Sequence, residues 1–552
     1  MAGIWEKLTT LSFLTWLGWA ASIILVFGFI IGLILQFSSK KETSFDRSIS
    51  VDKRSFWVSV LTLVGLFAVV FISRYFLSKF IFGTWYFADE AFDSCIKPFQ
   101  FSQGEPLWGG DPHFLVYFIH LAVYKLFGCN PQIARMTSTF FFAIAVAIFY
   151  ITFQGIFGKK VSFFVVGTMI ISSPFITHSI YASFVSFAFF PTALILWTLS
   201  RPLTRMSSGL LGPLTILGLF FYPGAFMVGV SLILSHALFF YNNWTPKNRG
   251  IALLSFLLSI GLALKIRSLI LGYSSWTTWG YGFLTIKWIT TGITTVLSDV
   301  FWKSSSWNTI NVDAPYFEQS LLGFLGIGIL LSFFTLPLIS ALEKKWIWTS
   351  LLTFFIAIFL ASFAGVNPGV RRVISALPLL LSIAGLGFKF VFHWKNFRTT
   401  LYAVLILCFG LVALQSYVII TKRGTLSSHS DFMITAQQEL LMLPANQKVS
   451  VVFFDYDPVN GLALLYRSAL MLDKSLKDHF NTVKVFRRDD LSHIRNLKEE
   501  ILFLANEIFP EKGLQDIFGR LPNSSKTIQW SELPQPYKLV AIYHFTHDSS
   551  IK

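Results

Sequence analysis

Long apolar runs, separated by short polar connectors, repeat along most of the 552-residue chain. Runs of roughly 18 or more apolar residues are long enough to cross a bilayer as helices. They predict about twelve spans, so we expect a mainly α-helical, polytopic transmembrane bundle. In chain order the candidate spans are Leu11–Phe37, Phe56–Phe82, Met136–Phe157, Val161–Ser179, Ala182–Ser200, Gly209–Phe221, Gly224–Tyr241, Gly250–Leu271, Ser320–Leu342, Trp346–Ala364, Val373–Val391 and Thr399–Ile420.

Two of these segments are ambiguous. Gly209–Phe221 and Gly224–Tyr241 are short, and Tyr222-Pro223-Gly224 separates them. They form either one kinked helix or two helices joined by a turn, because membrane spans tolerate Pro and Gly when neighbours satisfy the backbone. The run Leu11–Phe37 is longer than a signal-peptide core and lacks a small-residue cleavage site, so we expect a retained span.

Basic residues concentrate in the connectors and predict the orientation of the bundle. With a turn at Tyr222, the basic connectors all fall on one side, which the positive-inside rule assigns to the cytoplasm. This alternation favours twelve spans in a plasma or inner membrane, with both termini outside. The loops Gly83–Arg135, Gly272–Gln319 and Gly365–Arg372, and the tail after Thr421, then face the exterior. The basic connectors are Lys40-Lys41 with Arg47 and Lys53-Arg54, Lys159-Lys160, Arg201 with Arg205, Lys247 with Arg249, Lys344-Lys345, and Lys395 with Arg398.

Composition supports a membrane protein and argues against a nucleic-acid partner. Hydrophobic residues make up 54% of the chain, charged residues only 13%, and the mean hydropathy is +0.63. The net charge of +16 comes from basic residues between apolar runs, as the positive-inside rule predicts. Cys95, Cys129 and Cys408 lack metal-ligand spacing, and a Cys95–Cys129 disulfide is left open.

The tail changes composition sharply and predicts a small soluble α/β domain outside the membrane. We expect strands at Val449–Phe454, Val483–Phe486 and Leu539–Phe545, with a charged helix near Leu491–Ile508. The chain therefore divides into an extra N-terminal helix with a basic loop (1–55), a transmembrane core with the outer loop 83–135 (56–421), and this tail (422–552).

Three carboxylates follow the span that ends at Phe82. Asp89, Glu90 and Asp93 come after the interfacial aromatics Trp85 and Tyr86. They either begin a solvated loop or supply a general base or a divalent-cation site at the membrane surface. We expect Asp89 to act as the base, Glu90 to support it or share a cation, and Asp93 to be an ordinary loop residue.

The same outer loop carries further polar candidates. Its Gly- and Pro-rich stretch contains Asp111 and His113, which are both potential metal ligands. Two ligands are too few to define a metal site. The stretch from Phe114 to Phe127 has helical periodicity, with Tyr117 on it, and predicts an amphipathic helix in the membrane interface. We consider Asp111, His113 and Tyr117 as acceptor contacts or loop supports.

Cations are predicted to collect on the same outer face. Arg371 and Arg372 are predicted to lie outside, where the positive-inside rule does not expect arginines. The guanidinium group binds phosphate oxygens in bidentate geometry, which favours a phosphate contact. Ordinary contact with lipid headgroups is the alternative. A second cationic pair precedes the outer end of its span, and Arg135 opens another span as a partner for the acidic cluster or a phosphate. His178 is either a buried, hydrogen-bonded histidine or an acceptor contact. The second pair is Lys265 and Arg267.

These features together resemble the GT-C membrane glycosyltransferases. The resemblance rests on Ala88-Asp89-Glu90-Ala91, the Gly/Pro turn, the helix ending Leu126-Phe127-Gly128, Ala134-Arg135, and Arg371-Arg372 before Leu377-Pro378. The most similar types are dolichyl-phosphate-mannose–protein mannosyltransferase-like (family 39-like) enzymes and lipid A aminoarabinose transferases. The resemblance implies that Asp89 activates the acceptor, and that a sugar moves with inversion.

The resemblance implies transfer of a sugar from a polyprenyl-phosphate-linked donor to a protein, lipid or glycan acceptor on the extracytoplasmic face. Expected partners are the polyprenyl-phosphate sugar and membrane lipid, and no cofactor is implied beyond the open alternative of a divalent cation at Asp89 and Glu90. A multi-pass transporter or flippase of a lipid-linked substrate is the main alternative, and an assembly protein is a third. A flippase is expected to carry charges near mid-membrane and internal repeats.

Overall fold

A computed structural model describes 16 segments of the chain, and the structural statements below concern these residues alone. They are 53–82, 94, 114–127, 130–182, 184–271, 290–294, 297, 319–362, 372–391, 405–417, 449–454, 480–486, 500–505, 510–518, 521–527 and 541–545. The predicted span Leu11–Phe37 and the cysteines Cys95 and Cys129 lie outside them. The chain forms two compact units, one within 1–78, 106–116 and 135–421 and the other within 79–105, 117–134 and 422–552. The predicted division at 55 and 421 stays a prediction.

Helices dominate the described residues. Short 3-10 segments at Phe184–Ala188, Tyr241–Asn243, Leu336–Leu338 and Ile374–Ala376 join some of them. In chain order the α-helices are α1 (Lys53–Phe82), α2 (Phe114–Phe127), α3 (Pro131–Phe157), α4 (Lys159–Ile171), α5 (Ser173–Ile180), α6 (Phe189–Leu199), α7 (Arg205–Phe221), α8 (Pro223–Phe239), α9 (Pro246–Leu271), α10 (Gln319–Phe334), α11 (Ala341–Ser362), α12 (Leu377–Val391), α13 (Leu405–Tyr417) and α14 (Glu511–Phe518).

Several helices have the length and composition of membrane spans. Four qualify within the described segments: Leu61–Phe80, Gln132–Phe157, Pro246–Lys265 and Ala341–Ser362. The bent pair α4–α5 is a fifth when counted as one span, and further apolar helices have 10–17 residues. The chain is therefore an integral membrane protein with a helical bundle, while the count of twelve spans and the side that each end faces stay predictions.

The bundle core is rich in phenylalanine. Phe149, Phe153 and Phe157 follow one another at four-residue spacing along α3 and are almost fully buried. Their rings stack in sequence, with centroids 5.8 Å and 6.3 Å apart. On α1 and α9, by contrast, apolar side chains such as Phe80 and Leu258 are exposed, as expected of surfaces that face lipid.

Helices α7 and α8 are two separate helices that pack antiparallel. The chain turns at Tyr222, whose extended backbone has φ −166° and ψ 129°. A Cβ on Gly218 would lie 3.2 Å from the Ala225 backbone, and one on Gly229 would lie 3.7 Å from Thr215. These pairings are antiparallel, so the two-helix interpretation of 209–241 is confirmed and the kinked-helix alternative is wrong.

The predicted span Val161–Ser179 is not one straight helix. Helix α4 ends at Ile171, Ser172 is extended (φ −88°, ψ 145°), and α5 leaves at an angle of 62°. Pro174, in the first turn of α5, has no backbone N–H and its ring would clash with a preceding helical turn. The length and hydropathy of the predicted span do not report this break, so the sequence did not reveal it.

Contacts gather the predicted cytoplasmic connectors at one end of the bundle. Lys389 Nζ donates to the Phe157 carbonyl oxygen (3.1 Å) and to Glu343 Oε1 (2.8 Å), which joins the ends of α3, α11 and α12. The Asn248 amide donates to the Leu203 carbonyl oxygen at 2.9 Å and joins the starts of α7 and α9. These contacts concern the connectors at 157–160, 201–205, 247–249 and 343–345, and the membrane side that they face stays a prediction.

The His236 ring connects these two groups of connectors. Its Nδ1 accepts a hydrogen bond from Trp244 Nε1 at 3.0 Å, and its ring centroid lies 5.4 Å from that of Trp346. Trp244 lies just before α9, and Trp346 lies in the first turns of α11. The end of α8 thus packs against the starts of both helices.

The C-terminal residues form a five-stranded sheet with the order β2-β1-β3-β5-β4. Strand β1 pairs in parallel with β2 and β3, and β5 pairs antiparallel with β3 and β4. His544 of β5 contacts Glu500, just before β3, at 2.6 Å (Nε2 to Oε1). The strands are β1 (Val449–Phe454), β2 (Phe480–Phe486), β3 (Ile501–Ala505), β4 (Ser524–Thr527) and β5 (Ala541–Phe545).

The predicted strands agree with β1, β2 and β5. The helix predicted near Leu491–Ile508 is wrong at Ile501–Ala505, which forms β3. This segment lies between β1 and β5, and Phe503 is fully buried. A short apolar run can be a helix or a central strand by pattern alone, and pairing on both edges decides for a strand here.

Glycine permits close packing of α12 against α10. A Cβ on Gly387 of α12 would lie 2.0 Å from the Gly328 carbonyl oxygen and 2.7 Å from the Ser332 nitrogen of α10. Both are backbone atoms, which cannot rotate away as a side chain can. Small residues at helix contacts are the usual means of close approach in membrane bundles.

We predict that Gly387→Ala lowers the free energy of unfolding by about 3 kcal/mol, because α10 and α12 must separate to admit the methyl group. The measurement is the thermal melting temperature of purified protein in detergent. The matched control is Gly261→Ala on α9, where a Cβ would meet nothing within 4 Å. Equal melting temperatures for the two variants would contradict the packing described for α10 and α12.

Candidate functional site

The break between α4 and α5 leaves backbone carbonyl groups without helical partners. The last four carbonyl groups of a helix have no intrahelical donor, and no water is present in the hydrocarbon core to replace it. The Ser172 N–H donates to the Thr168 carbonyl oxygen at 3.0 Å. The carbonyl oxygens of Met169 and Ile170 need other donors.

Arg74 supplies these donors from α1. Its Nη2 donates to the carbonyl oxygens of Ile170 (2.6 Å) and Met169 (3.2 Å), and its Nε donates to Ser179 Oγ (2.8 Å). The side chain is only 2% exposed. A guanidinium fork suits several acceptors at once, and a cation at a helix C-terminus is favoured by the helix dipole. Arg74 therefore holds α4 and α5 in their bent arrangement.

Two further hydrogen bonds position the end of α5. Thr139 Oγ1 on α3 donates to the Ser179 carbonyl oxygen at 2.7 Å. Ser186 Oγ, in the segment Phe184–Ala188, donates to the His178 carbonyl oxygen. His178 itself is 4% exposed, so it lies within the bundle end rather than on its surface.

The turn between α7 and α8 lies beside the same 3-10 segment. The rings of Phe184 and Tyr222 stack with centroids 5.5 Å apart. A Cβ on Gly224 would lie 2.5 Å from the Arg372 carbonyl oxygen, so the turn touches the Arg372 backbone directly. The structure thus brings His178 and Arg372, which are distant in sequence, to one end of the bundle.

A further bond supports the segment that follows Arg372. Thr192 Oγ1 on α6 donates to Ser375 Oγ at 3.1 Å, and both residues are buried. Ser375 lies in the 3-10 segment Ile374–Ala376, which leads into α12. The Arg372 backbone is therefore fixed on one side by Gly224 and on the other by this bond, while its side chain is half-buried.

The other predicted cations are placed differently. Arg135 is fully buried on α3, one helical turn before Thr139. Lys265 is exposed on α9, and Arg267 lies on the same helix with its side chain outside the described part. Since α7 and α9 pack in parallel, Lys265 lies toward the end of the bundle where Tyr222 lies.

Tyr117 is buried on α2, whose bounds agree with the predicted Phe114–Phe127 helix. His120 on the same helix is also buried, and this burial lowers the pKa of its imidazole to about 4. The ring is therefore neutral at physiological pH. The placement of α2 in the membrane interface stays a prediction.

Five of the predicted site residues lie outside the described residues: Asp89, Glu90, Asp111, His113 and Arg371. The proposed cation at Asp89 and Glu90 falls outside them as well. Among the described residues, no group of three or more His, Cys, Asp or Glu side chains could hold a metal ion. Glu343 is the one carboxylate among the described residues of the first unit (1–78, 106–116 and 135–421). It forms an ion pair with Lys389 at the end of the bundle opposite Arg372.

Sequence reasoning missed Arg74, Thr139, Ser179 and Ser186. A signal for Arg74 was present, because an arginine inside the apolar run Phe56–Phe82 is expensive and rare. The three hydroxyl residues have no such signal, since Ser and Thr are common inside apolar helices. Their role depends on the bend at Ser172.

No protein-family model and no curated protein sequence matches the chain. Among matching solved structures, ArnT from Cupriavidus metallidurans in the apo state has a TM-score of 0.51 at 11% identity, covering 88% of this chain and 98% of ArnT. The same ArnT bound to undecaprenyl phosphate gives 0.43 at 12% identity, with 87% and 97% covered. The Archaeoglobus fulgidus oligosaccharyltransferase, in complex with Zn and sulfate, gives 0.43 at 12% identity, with 79% and 68% covered.

The alignment with apo ArnT extends over nearly all of both chains. At 11% identity this likeness concerns the fold. It shows that the chain shares the fold of ArnT, so the predicted resemblance is confirmed for the fold alone. The function that this fold performs here must be argued from the site.

We predict that Arg74→Met lowers the free energy of unfolding by about 2–4 kcal/mol, because it removes the donors to two buried carbonyl groups. The measurement is the melting temperature of the purified protein in detergent. Arg74→Lys keeps the charge but loses the planar guanidinium with its several N–H donors. We therefore expect its melting temperature to lie between those of Arg74→Met and the unchanged protein.

The matched control for this experiment is Lys79→Met, which removes an exposed cation from the same helix. We expect a change within about 0.5 kcal/mol for this variant. If Arg74→Met melts at the same temperature as Lys79→Met, Arg74 does not hold the break.

Proposed function

We propose that the protein is an integral membrane glycosyltransferase that moves a sugar from a polyprenyl-phosphate-linked donor to an acceptor hydroxyl. The observation that carries the proposal is the fold shared with ArnT over most of both chains, together with the arginine held at one end of the bundle. The ArnT that shares this fold has also been crystallised with undecaprenyl phosphate. We place the reaction on the extracytoplasmic face, as the distribution of basic connectors predicts.

The proposed reaction is a single displacement. Asp89 accepts the proton of the acceptor hydroxyl, and the freed oxygen forms a bond to the anomeric carbon of the donor sugar. The bond between that carbon and the phosphate oxygen breaks, and polyprenyl phosphate leaves with the electron pair. A single displacement inverts the anomeric configuration.

Arg372, with Arg371 before it, is proposed to bind the phosphate as its charge develops. The guanidinium binds phosphate oxygens in bidentate geometry, and positioned cations stabilise the transition state more than the ground state. Contact with Gly224 and the Thr192–Ser375 bond support this position. Arg135, Lys265 and Arg267 are proposed as further cations of the donor site. Glu90 is proposed to support Asp89.

We expect His178 to support the reaction end of the bundle rather than to transfer a proton, because it is 4% exposed and its carbonyl is bound to Ser186. Asp111, His113 and Tyr117 remain proposed contacts for the acceptor or supports for the loop. The acceptor class is a protein, lipid or glycan. Identifying it requires a screen with each class.

Asp89→Asn is expected to reduce sugar transfer at least a thousandfold, because the amide cannot accept the acceptor proton. The assay uses the purified full-length protein with labelled polyprenyl-phosphate sugars and measures sugar released from the lipid. The matched control is Asp93→Asn in the same loop, which we expect to retain activity. Full activity of Asp89→Asn in correctly inserted protein would exclude this residue as the base.

Arg372→Ala is expected to raise the KM for the lipid-linked donor about tenfold or more and to lower kcat, because the leaving phosphate loses its cation. Arg372→Lys is expected to recover part of this loss, since it keeps charge without the fork. The matched control is Lys159→Ala, an exposed cation at the opposite end of the bundle. An unchanged KM and kcat for Arg372→Ala would remove Arg372 from the donor site.

A further inference from the structure

Four basic residues lie around one contact between two connectors, at the end of the bundle opposite Arg372. The Asn248 amide donates to the Leu203 carbonyl oxygen at 2.9 Å and fixes the two connectors side by side. Arg201 and Arg205 lie two residues on either side of Leu203, and Lys247 and Arg249 lie on either side of Asn248. We call Arg201, Arg205, Lys247 and Arg249 the basic pad.

The two connectors that carry the basic pad contain no carboxylate to neutralise its positive charge. Residues 200–209 and 241–250 contain neither Asp nor Glu. Glu343 is the one carboxylate among the described residues of the first unit, and it already has partners. Its Oε1 lies 2.8 Å from Lys389 Nζ, and its Oε2 accepts a hydrogen bond from the Ser340 backbone N–H at 3.1 Å. The charges of Arg201, Arg205 and Lys247 are exposed.

Aromatic rings and backbone acceptors hold two of the guanidinium groups. Arg201 Cζ lies 4.1 Å from the centroid of the Trp197 ring, and Arg249 Cζ lies 3.7 Å from that of Tyr241. Arg249 Nε also donates to the Trp244 carbonyl oxygen at 2.7 Å. Restricting these side chains in advance reduces the entropy lost when an anion binds.

Helix stability does not account for Arg205 and Lys247. Arg205 begins α7 and Lys247 lies in the first turn of α9, where the positive end of each helix dipole disfavours a cation. The Thr204–Ser207 capping box already satisfies the first turn of α7. These two cations therefore act against the local electrostatics of α7 and α9, and an external anion would relieve that repulsion.

Exposed apolar side chains adjoin the cations. Met206 is 77% exposed next to Arg205, and Tyr241 is 60% exposed beneath Arg249. Leu238 of α8 is 50% exposed one turn before Tyr241. A small soluble anion gains no binding energy from an apolar surface. A phospholipid does, because its acyl chains lie directly beside its headgroup phosphate.

We propose that the basic pad is a binding site for an anionic phospholipid, in which the cations contact the headgroup phosphate and the acyl chains lie along Met206 and Leu238. The ligand is bound from the leaflet at this end of the bundle. The proposal does not depend on the transferase reaction, because the pad lies at the end opposite Arg372.

The experiment titrates purified, delipidated full-length protein in detergent with phosphatidylglycerol, and measures bound lipid by native mass spectrometry. We expect saturable binding that is tighter than binding of phosphatidylcholine and weakens with salt. The variant Arg201→Gln/Arg205→Gln/Lys247→Gln is expected to bind phosphatidylglycerol about a hundredfold more weakly. In parallel, inorganic phosphate and phosphatidylglycerol are each titrated, and the melting temperature of the protein is measured.

The matched control is Lys159→Gln/Lys160→Gln/Lys344→Gln, which removes the same charge from other connectors at this end. It is expected to bind the lipid within about threefold of the unchanged protein. Equal loss in both triple variants would show a general charge effect and overturn the site, as would equal binding of phosphatidylcholine. Stabilisation by inorganic phosphate equal to that by phosphatidylglycerol would also overturn it.

If the first triple variant is poorly folded, Arg201→Lys/Arg205→Lys with Lys247→Gln gives a milder test. Its affinity is expected to fall about tenfold, because one charge is lost and two are kept. Unchanged affinity in this variant would count against the pad.

Discussion

In a bilayer, each backbone carbonyl group that a helix releases must find a donor within the protein. The bend of 62° at Ser172 releases such groups at the end of α4, and the Arg74 guanidinium binds two of them. The same side chain reaches Ser179, whose carbonyl group is bound by Thr139. The orientation of α5, and with it the position of His178, therefore depends on one buried cation.

The opposite end of the bundle follows the same rule with a different residue. Lys389 donates to the Phe157 carbonyl oxygen at the C-terminus of α3 and forms an ion pair with Glu343. Here the carboxylate and the helix end share one cation, which lowers the cost of burying either charge. The cations of the basic pad differ from both Arg74 and Lys389, because Arg201, Arg205 and Lys247 are exposed, and Arg205 and Lys247 lie at helix starts.

Sequence patterns predicted the helical bundle, the turn at Tyr222 and the strand Val449–Phe454, because each depends on local hydrophobicity or turn residues. They did not predict the bend at Ser172, since a hydropathy window averages over it. They also assigned a helix at Ile501–Ala505, where pairing with two neighbouring strands decides the structure. At the site, Arg372 and His178 were chosen for their chemistry, but only tertiary packing relates them, through residues such as Ser186 and Tyr222 that carry no functional signal.

Arg74 also bears on the choice between a transferase and a flippase. A flippase for a lipid-linked substrate is expected to have charges inside the bundle that meet the substrate near mid-membrane. Arg74 is a buried cation on a membrane helix, yet its Nε and Nη2 donate to Ser179, Met169 and Ile170, all within the protein. A group that holds a helix break cannot release it at each transport cycle without exposing two carbonyl groups to hydrocarbon. This buried charge is thus better explained as a fixed support for the bend than as a moving substrate site.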